Sequence, residues 1–412
     1  MTSPNLDDNI LDINLFPANR GAPHALFDLW REQDPVHFNP PSPTYRNNES
    51  FSQVTRGFWV LTRYQDVQDV SRDQELFTSH DHGFLLWDVE GEELERQQQN
   101  FMGMKPADHA AVKQVIVPPF APRALGALKP AIDQGARELV DAIAGRGECE
   151  FVFDVASKLP VYTFCELMGI PLSYRERVVD YGNAIADVEG RSKLSFNPVE
   201  KLYELSMEIA ELKRREPDDR LFSQMIHNSS IQLSDLQLAN FFQVFAIAGH
   251  ETTRSTAAHF IYLMHANPEQ FELLMSDLDA HLANAIEEVL RFTSTTTNFC
   301  RHATRDTVLN GQLIGKGDKV YLSYAAANRD PRVFEDPHRF DITRPNARQH
   351  LAFGTGPHVC VGARLARMQL HALLHELLTR LPDLRIEGDP EWLQSVWFNA
   401  IVRMQVRFAA RT

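Results

Sequence analysis

The segment Phe353-Gly354-Thr355-Gly356-Pro357-His358-Val359-Cys360-Val361-Gly362 runs straight into the amphipathic stretch Ala363 to Arg380. A thiolate, not a thiol, is the metal ligand, and a helix N-terminus with unpaired N–H groups and a positive dipole end favours that anion at Cys360. Gly354, Gly356 and Gly362 let the backbone approach a flat macrocycle closely, so the arrangement suits a cysteine on haem iron. Two other readings compete. A phosphate loop fails, because Pro357 interrupts the run of N–H donors and no Lys-Ser/Thr pair follows. A lone cysteine in an apolar stretch is more often a small buried hydrophobe, and Cys360 taken alone favours that reading. The other motifs decide.

The second group lies in mid-helix. Ser234-Asp235-Leu236-Gln237 matches a capping box, and the helical pattern runs to Ala266 before Asn267-Pro268 stops it, a span of about 32 residues and about 48 Å. Phe241 to Gly249 is apolar on nearly every face apart from Gln243, which predicts a helix through the interior. Gly249-His250-Glu251-Thr252-Thr253 interrupts that pattern. A mid-helix glycine costs about 1 kcal/mol against alanine, and a buried carboxylate costs more unless paired. Thr252 is placed to bond the carbonyl of Ala248 and open the helix locally. Positions 241, 245, 248, 249 and 252 share one face, so Phe241, Phe245, Ala248 and Gly249 are candidate pocket residues, with core packing as the competing explanation. A helix-bending threonine and a glutamate reaching solvent or an ion pair would explain the same residues.

A third group, Glu288-Val289-Leu290-Arg291, sets a carboxylate and a guanidinium three residues apart on one helix face. Alone it is weak, since most such pairs are solvated.

Taken in order, these motifs resemble the cytochrome P-450 family. The resemblance runs from about Asp34 to Phe408 and includes Phe120-Ala121-Pro122-Arg123 and Leu167-Met168-Gly169-Ile170-Pro171. It implies a mainly α fold with small β-sheets, in which haem b lies between a long distal helix and the proximal cysteine loop. It also implies one domain over residues 1–412, with a β-rich part near 34–80. Cys360 would be the axial ligand, and its electron push favours O–O cleavage. Ala248-Gly249-His250-Glu251-Thr252 is similar to the oxygen-activation motif, giving Glu251 and Thr252 the proton chemistry. Phe353, Gly354 and Gly362 would surround the cofactor, while His109, Lys113, Arg301 and His358 occupy propionate-binding positions. Lys113 departs from the family's usual arginine, keeping the charge but losing the bidentate fork. Glu288 and Arg291 resemble the structural Glu-x-x-Arg pair, which Arg344 would complete. The segment around Asp88 to Asn100 lies where the family has a mobile cover over the substrate; a solvated face explains its charges equally simply.

The implied activity is a haem-thiolate monooxygenase that uses O2 and two electrons to hydroxylate or otherwise oxidise a hydrophobic small molecule such as a terpenoid, steroid or aromatic hydrocarbon. The chain has no flavin or nicotinamide motif, so NAD(P)H would act through a ferredoxin and its reductase. Lys105, Lys113, Arg123, Arg364 and Arg367 are a candidate docking patch. The alternatives are a peroxide-driven peroxygenase and a non-catalytic haem sensor; the acid-threonine pair disfavours both. Phe84, Leu85, Leu86, Thr295, Thr296, Thr297, Trp397 and Phe398 join the candidate pocket. The Thr295 to Asn298 run either bonds one polar group of a ligand or satisfies local backbone.

Composition agrees with these readings. The chain has 412 residues, 43% hydrophobic and 23% charged, ordinary for a globular protein, and its net charge of -14 argues against nucleic acid. Four cysteines without a Cys-x-x-Cys pair suggest neither disulfide scaffold nor zinc site and fit a reducing cytosol. Met1 to Asp34 carries no apolar run long enough for a signal peptide or membrane anchor. The elements that must position the chemistry read as strands at Phe58 to Thr62, Lys319 to Ser323 and Val402 to Phe408, and as helices at Leu125 to Ile143, Ser157 to Met168 and Pro198 to Arg215. Pro40 to Arg56 and Asp88 to Asn100 read as surface loops.

Overall fold

Aromatic and β-branched residues at Phe58–Leu61, Asn298–Ala303 and Lys319–Ser323 build the centre of one sheet. In the computed structural model, which describes residues 3–15, 21–46, 53–186 and 196–411, Lys319–Ser323 is its middle strand. It pairs parallel with Phe58–Leu61 and antiparallel with Asn298–Ala303. Val36–Asn39 closes one edge and Phe77–Thr78 the other. Alternation sends Phe58, Val60, Cys300 and Tyr321 to one face, against Phe27, Trp30 and Leu86. Leu61, Ala303, Val320 and Leu322 go to the other, against Val67, Val70 and Leu351. Both faces are therefore buried.

This sheet belongs to one of two compact units, formed by residues 1–106, 287–360 and 392–400; the second comprises 107–286, 361–391 and 401–412. The second is helical. Its longest element, Asp235–Ala266, has the predicted capping box: Ser234 Oγ accepts from Gln237 N at 3.2 Å, and Gln237 Oε1 accepts from Ser234 N at 3.0 Å. Phe242 on this helix meets Phe164 and Phe222 edge-on at 5.2 and 5.4 Å. Lys158–Met168 ends at Gly169, whose φ of +72° and whose crowding by Asp218 and Arg220 leave no place for a Cβ. Glu148–Glu150, Arg385–Ile386 and Gln405–Arg407 form a small sheet.

Three expectations change. Asp88 to Asn100 is not a plain loop, because Gly91–Gln98 is a helix with Glu92 and Glu93 in its first turn and Arg96 in its last. Within Pro40 to Arg56, Ser42–Arg46 pairs with Gln53–Val54, and residues 47–52 lie outside the described residues. The Gly249 to Thr253 segment does not break its helix, which is continuous from Asp235 to Ala266. Among the described residues no helix is long and apolar enough to cross a membrane.

Candidate functional site

In the first unit, the loop ending at Cys360 is folded by its own main chain. Gly354 N donates to Leu351 O at 2.9 Å, Val359 N to Gly356 O at 3.1 Å, and Cys360 N to Phe353 O at 2.8 Å. Gly354 and Gly356 have φ of +67° and +71°. At Gly356 a Cβ would stand 2.8 Å from the carbonyl oxygen of Ser71 and 3.1 Å from Arg72 Cα, so only glycine fits. His358 ends the single turn Gly356–His358, and the Phe353 ring lies 5.6 Å from His350. Cys149, Cys165 and Cys300 are buried, and burial pushes each thiol up to about 12. Cys360 alone is exposed, so it alone can offer sulfur to a ligand. Three residues later the helix Ala363–Arg380 begins with Gly362 as its N-cap, which supplies no capping side chain.

Arg301, on the sheet, is 5% exposed, and its Nη1 donates to Cys300 O at 2.8 Å. Among the described residues no carboxylate pairs with it, and burial lowers its pKa. A buried guanidinium in that state calls for an external anion. The donor set, an exposed thiol in a glycine cradle and a cation awaiting a carboxylate, fits haem.

In the second unit, His109 and Lys113 share a face of the helix Pro106–Ile116, with His109 buried and Lys113 half-buried. On Asp235–Ala266, Phe241 is buried and stacks with Phe245 at 6.4 Å, and Phe245 stacks with Phe120 at 6.0 Å. One turn on, Ala248 and Gly249 are exposed although the helix around them is mostly buried, and a Cβ on Gly249 would meet nothing within 4 Å. The helix thus presents a small-residue notch. Thr252 Oγ1 donates to Ala248 O at 2.8 Å beside it. Glu251 is buried and held by two residues that the sequence reading did not single out: Nη2 of Arg254 lies 2.7 Å from both carboxylate oxygens, and Ser255 Oγ donates to Oε1 at 3.1 Å. The signal was present, since Glu251-x-x-Arg254 repeats the spacing of Glu288-x-x-Arg291.

The first unit also gathers an aromatic wall. Phe84 lies 6.3 Å from Phe299, which is 6.1 Å from Trp397; Trp397 is 4.3 Å from Phe398 and 5.4 Å from Trp87. Thr296 bridges to Phe398, and Asn399 N donates to Thr295 O at 2.8 Å. Phe299 and Trp87 are further members of this wall. Thr297 serves the backbone: its hydroxyl lies 2.9 and 3.0 Å from the carbonyls of Val396 and Trp397. Leu85 is half-buried, whereas Leu86 turns into the core with Trp30 and Phe58.

Glu288 and Arg291 make two parallel bonds, Nε to Oε2 at 2.7 Å and Nη2 to Oε1 at 2.8 Å. Arg344 Nε adds a third at 3.2 Å.

Known proteins resemble this chain in sequence and in fold. The Cytochrome P450 family model matches residues 200–392. A steroid C26-monooxygenase from Mycolicibacterium smegmatis is 32% identical, over 99% of this chain and 96% of its own. One from Rhodococcus jostii is 30% identical, over 94% and 82%. The solved cytochrome P450 of Mycobacterium marinum in complex with pseudoionone superposes with a TM-score of 0.85 at 33% identity, covering 93% of this chain and 94% of that one.

Proposed function

From the chain's membership of the cytochrome P450 family, in which it is a monooxygenase, we propose that it hydroxylates a branched, methyl-terminated apolar chain, such as a steroid side chain or an acyclic isoprenoid. The observation that carries the chemistry is the single exposed cysteine in a glycine cradle. The substrate class is supported by the relatives: C26 is a side-chain methyl of a steroid, and pseudoionone is a branched isoprenoid ketone.

Haem, when bound, supplies O2 activation and the insertion of one oxygen atom into a C–H bond, the other leaving as water. Cys360 would hold its iron through sulfur, with Phe353, Gly354 and Gly362 forming the cradle. Arg301, His109 and His358 would hold the propionates, and Lys113 would contribute a point charge there. Glu251 takes and releases protons at its carboxylate, and the Thr252 hydroxyl passes them on. Phe84, Trp397 and Phe398 orient the apolar substrate and exclude water, as do Phe241 and Phe245 from the distal helix. Electrons come from NAD(P)H through a ferredoxin and its reductase, guided by Lys105, Lys113, Arg123, Arg364 and Arg367. On this reading residues 1–412 serve as one catalytic domain working in the cytoplasm.

The test is a spin-state titration with cholesterol, pseudoionone and hexadecanoic acid, followed by NADH-driven turnover with a ferredoxin pair. Shifts with the first two and a hydroxylated product support the proposal. Response to the linear acid alone contradicts the substrate class, and product formed with peroxide but not with O2 and NADH favours a peroxygenase.

A further inference from the structure

Asp88, whose charge reads from sequence as part of a solvated face, is nearly buried in a network of the first unit. Lys319 stands on the middle strand opposite Phe58 and His302 and is 2% exposed. A lysine is seldom so deeply buried without partners. Its Nζ donates to Leu86 O and to Asp88 Oδ1, each at 2.6 Å. Asp88 also accepts from Thr55 N and Oγ1 at 2.8 and 3.0 Å, and from Arg56 N and Nε at 3.1 and 3.3 Å. Against the upward push of burial, Lys319 and Thr55 hold this carboxyl down at about 2.

The segment fastened in this way carries two rings of the aromatic wall. Phe84 faces Phe299 while its carbonyl accepts from Cys300 N at 2.9 Å, and Trp87 meets Trp397. An apolar residue at 319 would fill the strand more cheaply, because a buried pair seldom adds net stability over a packed hydrophobic one. What the pair adds is register: one ammonium grips both a main-chain carbonyl and a side chain of the same short segment.

We propose that Lys319 and Asp88 are positioning residues for substrate specificity, their buried ion pair fixing residues 84–88 so that Phe84 and Trp87 present one defined wall to the substrate. The inference rests on the monooxygenase reading above, in which that wall lines the substrate pocket.

Asp88→Asn, Lys319→Met and the apolar pair Lys319→Met with Asp88→Leu test it. Three quantities are read: amide exchange over residues 84–98, the dissociation constant of pseudoionone, and the ratio of its hydroxylated isomers. Expected in both single variants are at least tenfold faster exchange over 84–88, at least tenfold weaker binding and a mixed isomer ratio, with the carbon monoxide band of thiolate-bound haem retained. The double variant keeps near wild-type melting but not the isomer ratio, which separates positioning from mere stabilisation. Unchanged exchange overturns the anchor, and unchanged binding with an unchanged isomer ratio overturns the specificity role. If wild-type protein binds no pseudoionone, 4-phenylimidazole replaces it as an iron-directed probe. Faster exchange with a tenfold change in its affinity then supports the latch while the substrate class fails, and faster exchange without that change overturns the specificity role.

Discussion

The chain buries two Glu-x-x-Arg pairs, Glu251-x-x-Arg254 and Glu288-x-x-Arg291, and builds them in opposite ways. Both side chains of the second pair are fully buried. Glu288 accepts from Arg291 Nε and Nη2, Arg344 Nε and Asp341 N, while Arg291 gives its remaining N–H groups to the carbonyls of Asn328, Pro337 and Arg339. Arg329 stacks 3.5 Å over Phe292 next to it. Glu251 meets one guanidinium nitrogen and one hydroxyl, and its Oε2 and Arg254 Nε have no hydrogen bond of their own. A saturated pair is rigid. An unsaturated one can take a further hydrogen-bond partner without unmaking the fold, which is the property the proposed role of Glu251 requires.

The largest expected effect breaks the saturated pair. Glu288→Ala leaves a buried guanidinium without its counter-charge, a loss of about 3–5 kcal/mol. The variant should yield little folded holoprotein, and thermal unfolding within a degree or two of wild type would contradict the contrast.

Next in size is a pH effect beside the unsaturated pair. Burial first, and Arg254 second, lower the pKa of His250 to about 4. Unfolded, the ring titrates near ~6.5. The folded state therefore binds this proton more weakly, so the stability contribution is whole above about 6.5 and is lost as pH falls from there towards about 4. The full swing is on the order of 3 kcal/mol. Denaturant midpoints between pH 7 and pH 4 should fall more steeply for wild type than for His250→Asn, and equal slopes would count against it.

Glu251→Gln acts on rate rather than on stability. It keeps the shape and removes the carboxylate, so product formation should fall about 10²-fold or more while melting changes little. Unaltered turnover would place the proton path elsewhere.

The smallest effect is a control on the same helix. Ser234→Ala removes one half of the capping box and should cost about 1 kcal/mol without altering turnover. A change in turnover there would mean that the helix end and the notch are coupled.

What was legible in the sequence was what carries its own punctuation. The bounds of Asp235–Ala266 follow from a capping box and an Asn-Pro stop, and Lys319–Ser323 and Pro198–Arg215 lie where their patterns predict. The helix Gly91–Gln98 was missed because it has charges but no apolar period; its support is local, as in the 2.9 Å bond from Arg96 to Glu93. Contacts distant in sequence were invisible for a different reason. Asp88 is paired with a lysine 231 residues away, and the Thr297 hydroxyl is spent on carbonyls about a hundred residues downstream. Nothing in either local sequence specifies such partners. Arg254 was legible in principle, because helical spacing alone brings it to Glu251.

Cys360, alone of the four cysteines, is the proposed sulfur ligand of haem iron. The direct measurement is the absorption spectrum of the reduced, carbon monoxide-treated protein, for wild type, Cys360→Ser and Cys300→Ser. A strongly red-shifted Soret band that disappears only in Cys360→Ser is the predicted result. A band that survives the loss of Cys360, or an imidazole-type band in the wild type, would contradict the account.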